Sequence, residues 1–137
     1  MHPGNVLSRV TEVVLMVDAV RTATTNGTGV DITDYEGVGL IVLTSTAEAS
    51  TGTMDLTIQD SPDNSVWTNI PNLYNQGVPT GATHFVQVTN AGTSDQIRAI
   101  DVQGANKFIR AVQTVGGGSP SANAAVLFLG IKKVASA

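Results

Sequence analysis

Asp60, Asp63, Asn64 and Ser65 crowd one short stretch. Side-chain oxygens at such density are what a hard cation takes, so Asp60 and Asp63 are the candidate Ca²⁺ ligands of this chain. An EF-hand loop would also need a glycine at its sixth position and a distal Glu, and neither is there. The same residues flank Pro62 and suit a turn, where Asp and Asn bond their own backbone. The turn reading carries more weight, so no metal and no cofactor are expected. Asp31, Asp34 and Glu36 form a second acidic group. In a strand, Asp31 and Asp34 fall on opposite faces, which prevents them from sharing a proton. His2 and His84 are too few and too far apart in sequence for a metal cluster. The pattern Gly-x-Ser-x-Gly is absent. Gly116 to Ser119 lacks the Lys-Ser/Thr end and following helix of a phosphate loop. A sugar cleft would have only Trp67, Tyr35 and Tyr74 for stacking. No set of residues assembles into nucleophile, base and oxyanion donors, so no catalytic residue is assigned and the chain is not expected to be an enzyme.

The elements that hold these residues read as strands. Met54, Leu56 and Ile58 alternate with Asp55, Thr57 and Gln59, the period of a half-buried strand. The turn at 60–65 follows, then Val66, Trp67 and Ile70. This single Trp offers more burial than any other side chain in the chain and is expected to anchor the core. Upstream, Val10 to Val17 favours a strand, with a short helix over Arg9–Val20 as the rival. Asn26-Gly27 signals a turn. Thr28 to Tyr35 alternates, and Glu36-Gly37 allows a tight reversal. Val38 to Thr44 is apolar on both faces and reads as a central strand covered on each side.

Downstream, 71–83 is a long connection rich in Pro and Gly. His84 to Asn90 alternates. Gln96 to Val102 places Ile97 and Ile100 out of phase, which a bulge near Arg98 or Ala99 would reconcile. Lys107 to Val115 sets Phe108, Arg110 and Val112 against Ile109, Ala111 and Val115. Ala124 to Ile131 is a closing strand, apolar on both faces. Eight or nine short strands without an amphipathic helix predict an all-β, antiparallel β-sandwich, jelly-roll or Ig-like.

The 137 residues suit one domain, able to bury roughly two-thirds of its surface. Only 13% are charged, which is low for a free-standing domain. Either copies or a partner cover part of the surface, or the surface is a neutral one rich in Thr and Ser. The net charge is −4 and the seven Lys and Arg are scattered, so no nucleic acid is expected as partner. No apolar run reaches the length of a membrane span, and no leader is recognisable at the start. The absence of Cys rules out disulfides and thiolate metal sites.

Taken in order, Gly29-Val-Asp-Ile-Thr-Asp-Tyr-Glu-Gly37, Leu56-Thr-Ile-Gln-Asp-Ser-Pro-Asp-Asn-Ser-Val-Trp-Thr-Asn-Ile70, Lys107-Phe-Ile-Arg-Ala-Val112 and Ala125-Val-Leu-Phe-Leu-Gly-Ile-Lys-Lys133 resemble a group of small β-sandwich virion proteins of tailed bacteriophages. The resemblance spans about Gly27 to Lys133, and its motifs are structural. It implies a capsid decoration (cement) protein on the head surface, made in the host cytoplasm. Its partner would be the major capsid protein, and it would act as a homo-oligomer, a trimer being favoured. A neck or tail role, or a glycan-binding module, are the alternatives. Residues 1–23 have no counterpart in the group. They are expected to form an arm and first strand for attachment, with 24–137 as the sandwich. The expected contact residues are Met1, His2, Pro3, Val13, Val14, Leu15 and, in the long loop, Tyr74.

Overall fold

The computed structural model describes residues 9–47, 53–70, 86–89, 93–102, 104–116 and 122–133. Among these, every strand pairing is antiparallel, and the strands form two sheets. The strands are β1 (Val10–Arg21), β2 (Thr25–Asn26), β3 (Val30–Asp31), β4 (Tyr35–Ala47), β5 (Thr53–Ser61), β6 (Thr68–Asn69), β7 (Val86–Thr89), β8 (Thr93–Asp101), β9 (Phe108–Gly116) and β10 (Ala122–Lys132). The first sheet has the order β1-β10-β4-β8. In the second, β9 and β5 are the long central strands, flanked by β2 and β3 on one side and β6 and β7 on the other. The all-β sandwich expected from the alternation is what the chain forms.

The core lies between the sheets. Ile41, Leu43, Val126 and Phe128 enter it from the first sheet, and Met54, Leu56, Ile58, Ile109 and Ala111 from the second. The alternation at 54–58 therefore reads correctly. Tyr35 meets Phe128 edge-on, with ring centroids 5.1 Å apart, a favoured geometry for an aromatic pair. Gln113 is also fully buried, on the inward side of β9 with Ile109 and Ala111. Arg21 donates from Nη1 to Gln113 Oε1 (3.0 Å) and to the Ala124 carbonyl (3.2 Å), tying the end of β1 to both sheets.

β1 is a strand, hydrogen-bonded to β10 along its length, and forms one edge of the first sheet. Its register slips between Val14 and Met16, so Leu15 and Met16 both turn inward. A second slip precedes Ala19. Such irregularities twist an edge strand and hinder edge-to-edge pairing.

Four local expectations are corrected. Asn26-Gly27 makes no hairpin: Asn26 pairs with Val112, and the Gly27 amide donates to the Ala111 carbonyl at 2.7 Å. A Cβ on Gly27 would lie 2.3 Å from the Leu15 carbonyl oxygen, so the glycine lets the chain pass close to β1. Glu36-Gly37 does not reverse the chain either. Gly37 has φ +69° inside β4 and belongs to a bulge, where β4 runs from Leu40 to Glu36 while β10 runs from Leu129 to Ile131.

The bulge expected in β8 is absent. Its register against β4 is unbroken from Val38–Asp101 to Thr46–Thr93, so Ile97 and Ile100 stand on opposite faces. β4 is central, between β10 and β8, but among the described residues only its inner face is covered.

Candidate interaction surface

The outsides of the two sheets differ in chemistry. On the second sheet, register places Asp55 beside Thr114, Thr57 beside Val112 and Gln59 beside Arg110. This side is mostly polar and is bridged by hydrogen bonds. Arg110 Nε donates to Gln59 Oε1 (2.9 Å), and Gln59 Nε2 donates to Asn69 Oδ1 (2.9 Å).

The outside of the first sheet has an apolar centre that reaches all four strands, with Glu12 on β1 and Asp95 and Asp101 on β8 at register positions of the same face. Residues opposite one another share a face, so the register defines rows. One row runs Val14, Leu127, Val42, Ile97, and the next Glu12, Leu129, Leu40, Ala99. Val10 and Ile131 extend the face at one end, and Ala125 and Thr44 at the other. Ile97 is 61% exposed, Val14 47%, Val38 46%, Val10 43% and Leu40 38%. Isolated apolar side chains on a surface are ordinary, but a contiguous sheet face of them marks a contact region. Sequence reasoning read β4 as a central strand covered on each side, without saying what covers it, and did not join its outward residues to those of β8 and β10 in one face. The phase conflict between Ile97 and Ile100 was its signal.

The remaining candidates are placed as follows. Asp63 holds the turn after β5. Its Oδ1 accepts from the Ser65 amide (2.9 Å), the Val66 amide (2.9 Å) and Ser61 Oγ (3.0 Å). The two amide bonds, then the Ser61 hydroxyl, hold its carboxyl below the usual carboxylate value. Asn64 completes the turn with φ 60°. Asp60 Oδ2 accepts instead from the Asn106 amide (2.8 Å) and Asn106 Nδ2 (3.1 Å). Both carboxylates thus serve protein donors.

Asp31 accepts from the Thr33 hydroxyl and amide and lies 3.8 Å from Lys107 Nζ. The Thr33 bonds, and less strongly Lys107, lower its pKa. Glu36 pairs with Arg9 Nη1 at 3.0 Å. The acidic group at 31–36 is therefore dispersed among separate partners. Among the described residues no three His, Cys, Asp or Glu side chains gather as a metal site would require.

Trp67 corrects the expectation of a core anchor. It is half-buried on the outside of the second sheet, with the Arg110 guanidinium carbon 4.4 Å from its ring centroid. The turn at Asp63 and Asn64 delivers it there, against Gly29, where a Cβ would come within 3.0 Å of the indole. A cleft of about 270 Å³ lies between Ile32, Tyr35, Val102, Lys107 and Lys133. Its titratable groups are Tyr35, raised in pKa by burial and by Asp34, and two lysines, of which Lys107 faces Asp31 and the Phe108 ring.

Of the expected contact residues, Val14 stands on the apolar outer face. Val13 packs against the core and Leu15 is buried in it, because the slip in β1 turns Leu15 inward, so Leu15 has no surface to offer a partner. Met1, His2, Pro3 and Tyr74 lie outside the described residues, as do His84 and the Gly117–Ser119 run.

Comparison with family models and with curated proteins finds no match. A solved structure described as that of the SPBc2 prophage-derived protein YomS is similar to this chain, with 13% identity and a TM-score of 0.43. The similarity covers 87% of this chain and 92% of that one. Likeness at this level says nothing about what the chain does.

Proposed function

We propose that this chain is a structural virion protein of a tailed bacteriophage. It decorates and cements the head shell by binding the major capsid protein, and performs no catalysis. The observation that carries the reading is the apolar outside of the β1-β10-β4-β8 sheet. Such a face is stable in water only at a cost, and burying it against protein recovers roughly 25 cal/mol per Å². The polar outer side of the other sheet would then remain toward solvent. The sequence motifs that resemble small virion β-sandwich proteins support the same reading, as does the low charge, which suits close lateral packing. Repetition over a shell turns many weak contacts into firm retention. No bond-making step enters the mechanism.

The test is to count this chain by mass spectrometry in purified particles from the organism that encodes it. Hundreds of copies per particle are expected of a shell component. Six or twelve copies would instead place it in the neck or tail, and its absence from particles would end the reading altogether.

A further inference from the structure

Arg110, on the polar outside of the second sheet, is partly buried, and among the described residues it forms no ion pair. We infer that its guanidinium is a docking point for a carboxylate, supplied by an acidic peptide segment of another protein. The site lies on the opposite side of the sandwich from the face assigned to the capsid, so the two contacts do not compete.

Orientation is the first argument. Arg110 Nε donates to Gln59 Oε1 at 2.9 Å, and Gln59 Nε2 donates in turn to Asn69 Oδ1 at 2.9 Å. The second bond fixes which end of the Gln59 amide faces Arg110. The Trp67 ring lies against the guanidinium, its centroid 4.4 Å from the central carbon. One N–H and one flat face are therefore engaged. Among the described residues, the N–H groups on Nη1 and Nη2 have no hydrogen-bond partner. A guanidinium held at Nε and stacked on a ring is a pre-set fork, and its remaining donors match the two oxygens of a carboxylate.

Charge is the second argument. The acids nearest in register are committed or distant. Asp31, which pairs with Phe108, accepts from Thr33 and faces Lys107. Asp55 precedes Gln59 on β5 by about 13 Å of extended strand. Asp63 accepts from the Ser65 and Val66 amides. Burial lowers the pKa of Arg110, and no carboxylate acts against that shift. A cation drawn partly out of water is ordinarily paired with an anion.

The surroundings favour a peptide. Val66, 65% exposed, stands beside Trp67 and offers apolar contact to a side chain flanking the acid. A sugar acid would need an open indole face for stacking, but Arg110 takes one face and Gly29 adjoins the ring edge.

The test is an NMR titration of the isotope-labelled full chain with a capped tetraglutamate peptide, read at the Arg110 Nε–H and the Trp67 indole N–H. Both signals are expected to shift saturably, with a Kd on the order of millimolar for so small a site. Capped tetraglutamine should leave them in place. Arg110→Lys keeps the charge but not the fork, and should weaken binding by about tenfold. Gln59→Leu frees Nε and should weaken it by a smaller factor, as expected of a positioning residue. Far-UV circular dichroism checks the fold of both variants. Peptide binding that leaves these two signals unmoved, full affinity in Arg110→Lys, or tighter binding of glucuronate or inorganic phosphate than of the peptide would overturn the inference. None of these results would alter the particle count that tests the virion reading.

Discussion

Ile97 and Ile100 sit three residues apart on β8, and their truncation should have very different effects. Ile100 is 1% exposed and belongs to the core. Ile100→Ala removes buried methyl groups and leaves a cavity, a loss of about 2–5 kcal/mol. Ile97 faces outward beside Val42, so Ile97→Ala removes mainly one cross-strand contact, about 0.2–1 kcal/mol. For 137 residues the unfolding entropy is about 0.29 kcal/mol/K, so each kcal/mol moves the midpoint by about 3.5 °C. Ile100→Ala is therefore expected to lower Tm by about 7–17 °C, and Ile97→Ala by less than about 4 °C. Thermal unfolding followed by Trp67 fluorescence serves as the assay. Equal losses at the two positions would refute the unbroken β8 register and restore the bulge that the sequence suggested.

Other expectations follow from the turn, the indole and the close backbone approach. Asp63 has a native pKa below its unfolded value, so its bonds stabilise the fold fully above the ordinary carboxylate value of 3.8 and lose that effect as pH falls from there through the depressed native value. Asp63→Asn should flatten the dependence of Tm on pH in that acid range; an unchanged slope would show that the turn bonds do not matter. Arg110→Ala should cost about 1 kcal/mol through the lost guanidinium–indole contact and shift Trp67 emission, which should in turn be indifferent to added sugars. A saturable sugar response would favour a glycan-binding module. Gly27→Ala drives a methyl into two backbone carbonyls and should destabilise by about 1–3 kcal/mol, measurable by urea unfolding; a neutral effect would contradict the close approach of Gly27 to β1.

Much of the architecture was legible because alternation is a local signal. Met54 to Ile58 and Ile109 to Ala111 declare their inward faces directly. The apolar closing strand was equally plain, as was the strand character of Val10 to Val17. Glycines were misread, because Asn26-Gly27 and Glu36-Gly37 look alike in sequence whether they reverse a chain, admit a neighbour's backbone or form a bulge. Trp67 was misread because size argues for burial, whereas the Asp63 turn decides on which side of the sheet the indole emerges.

The contact face was hidden for a different reason. Val38 to Leu43 and Ala125 to Ile131 are apolar on both sides, and sequence does not say whether the second cover comes from the same chain or from another. Of the expected contact residues, Val14 stands on that face. Leu15, its neighbour, is turned into the core by a register slip that no residue pattern announces.

The claim on which the account depends is that the outside of the β1-β10-β4-β8 sheet is covered when the protein is at work. Carbene footprinting of the assembled protein against the dilute chain measures this directly. Protection of Leu40, Ile97, Leu127 and Leu129 on assembly, with Val66 and Trp67 labelled equally in both states, is the expected result. Equal labelling of the four residues in both states would contradict it.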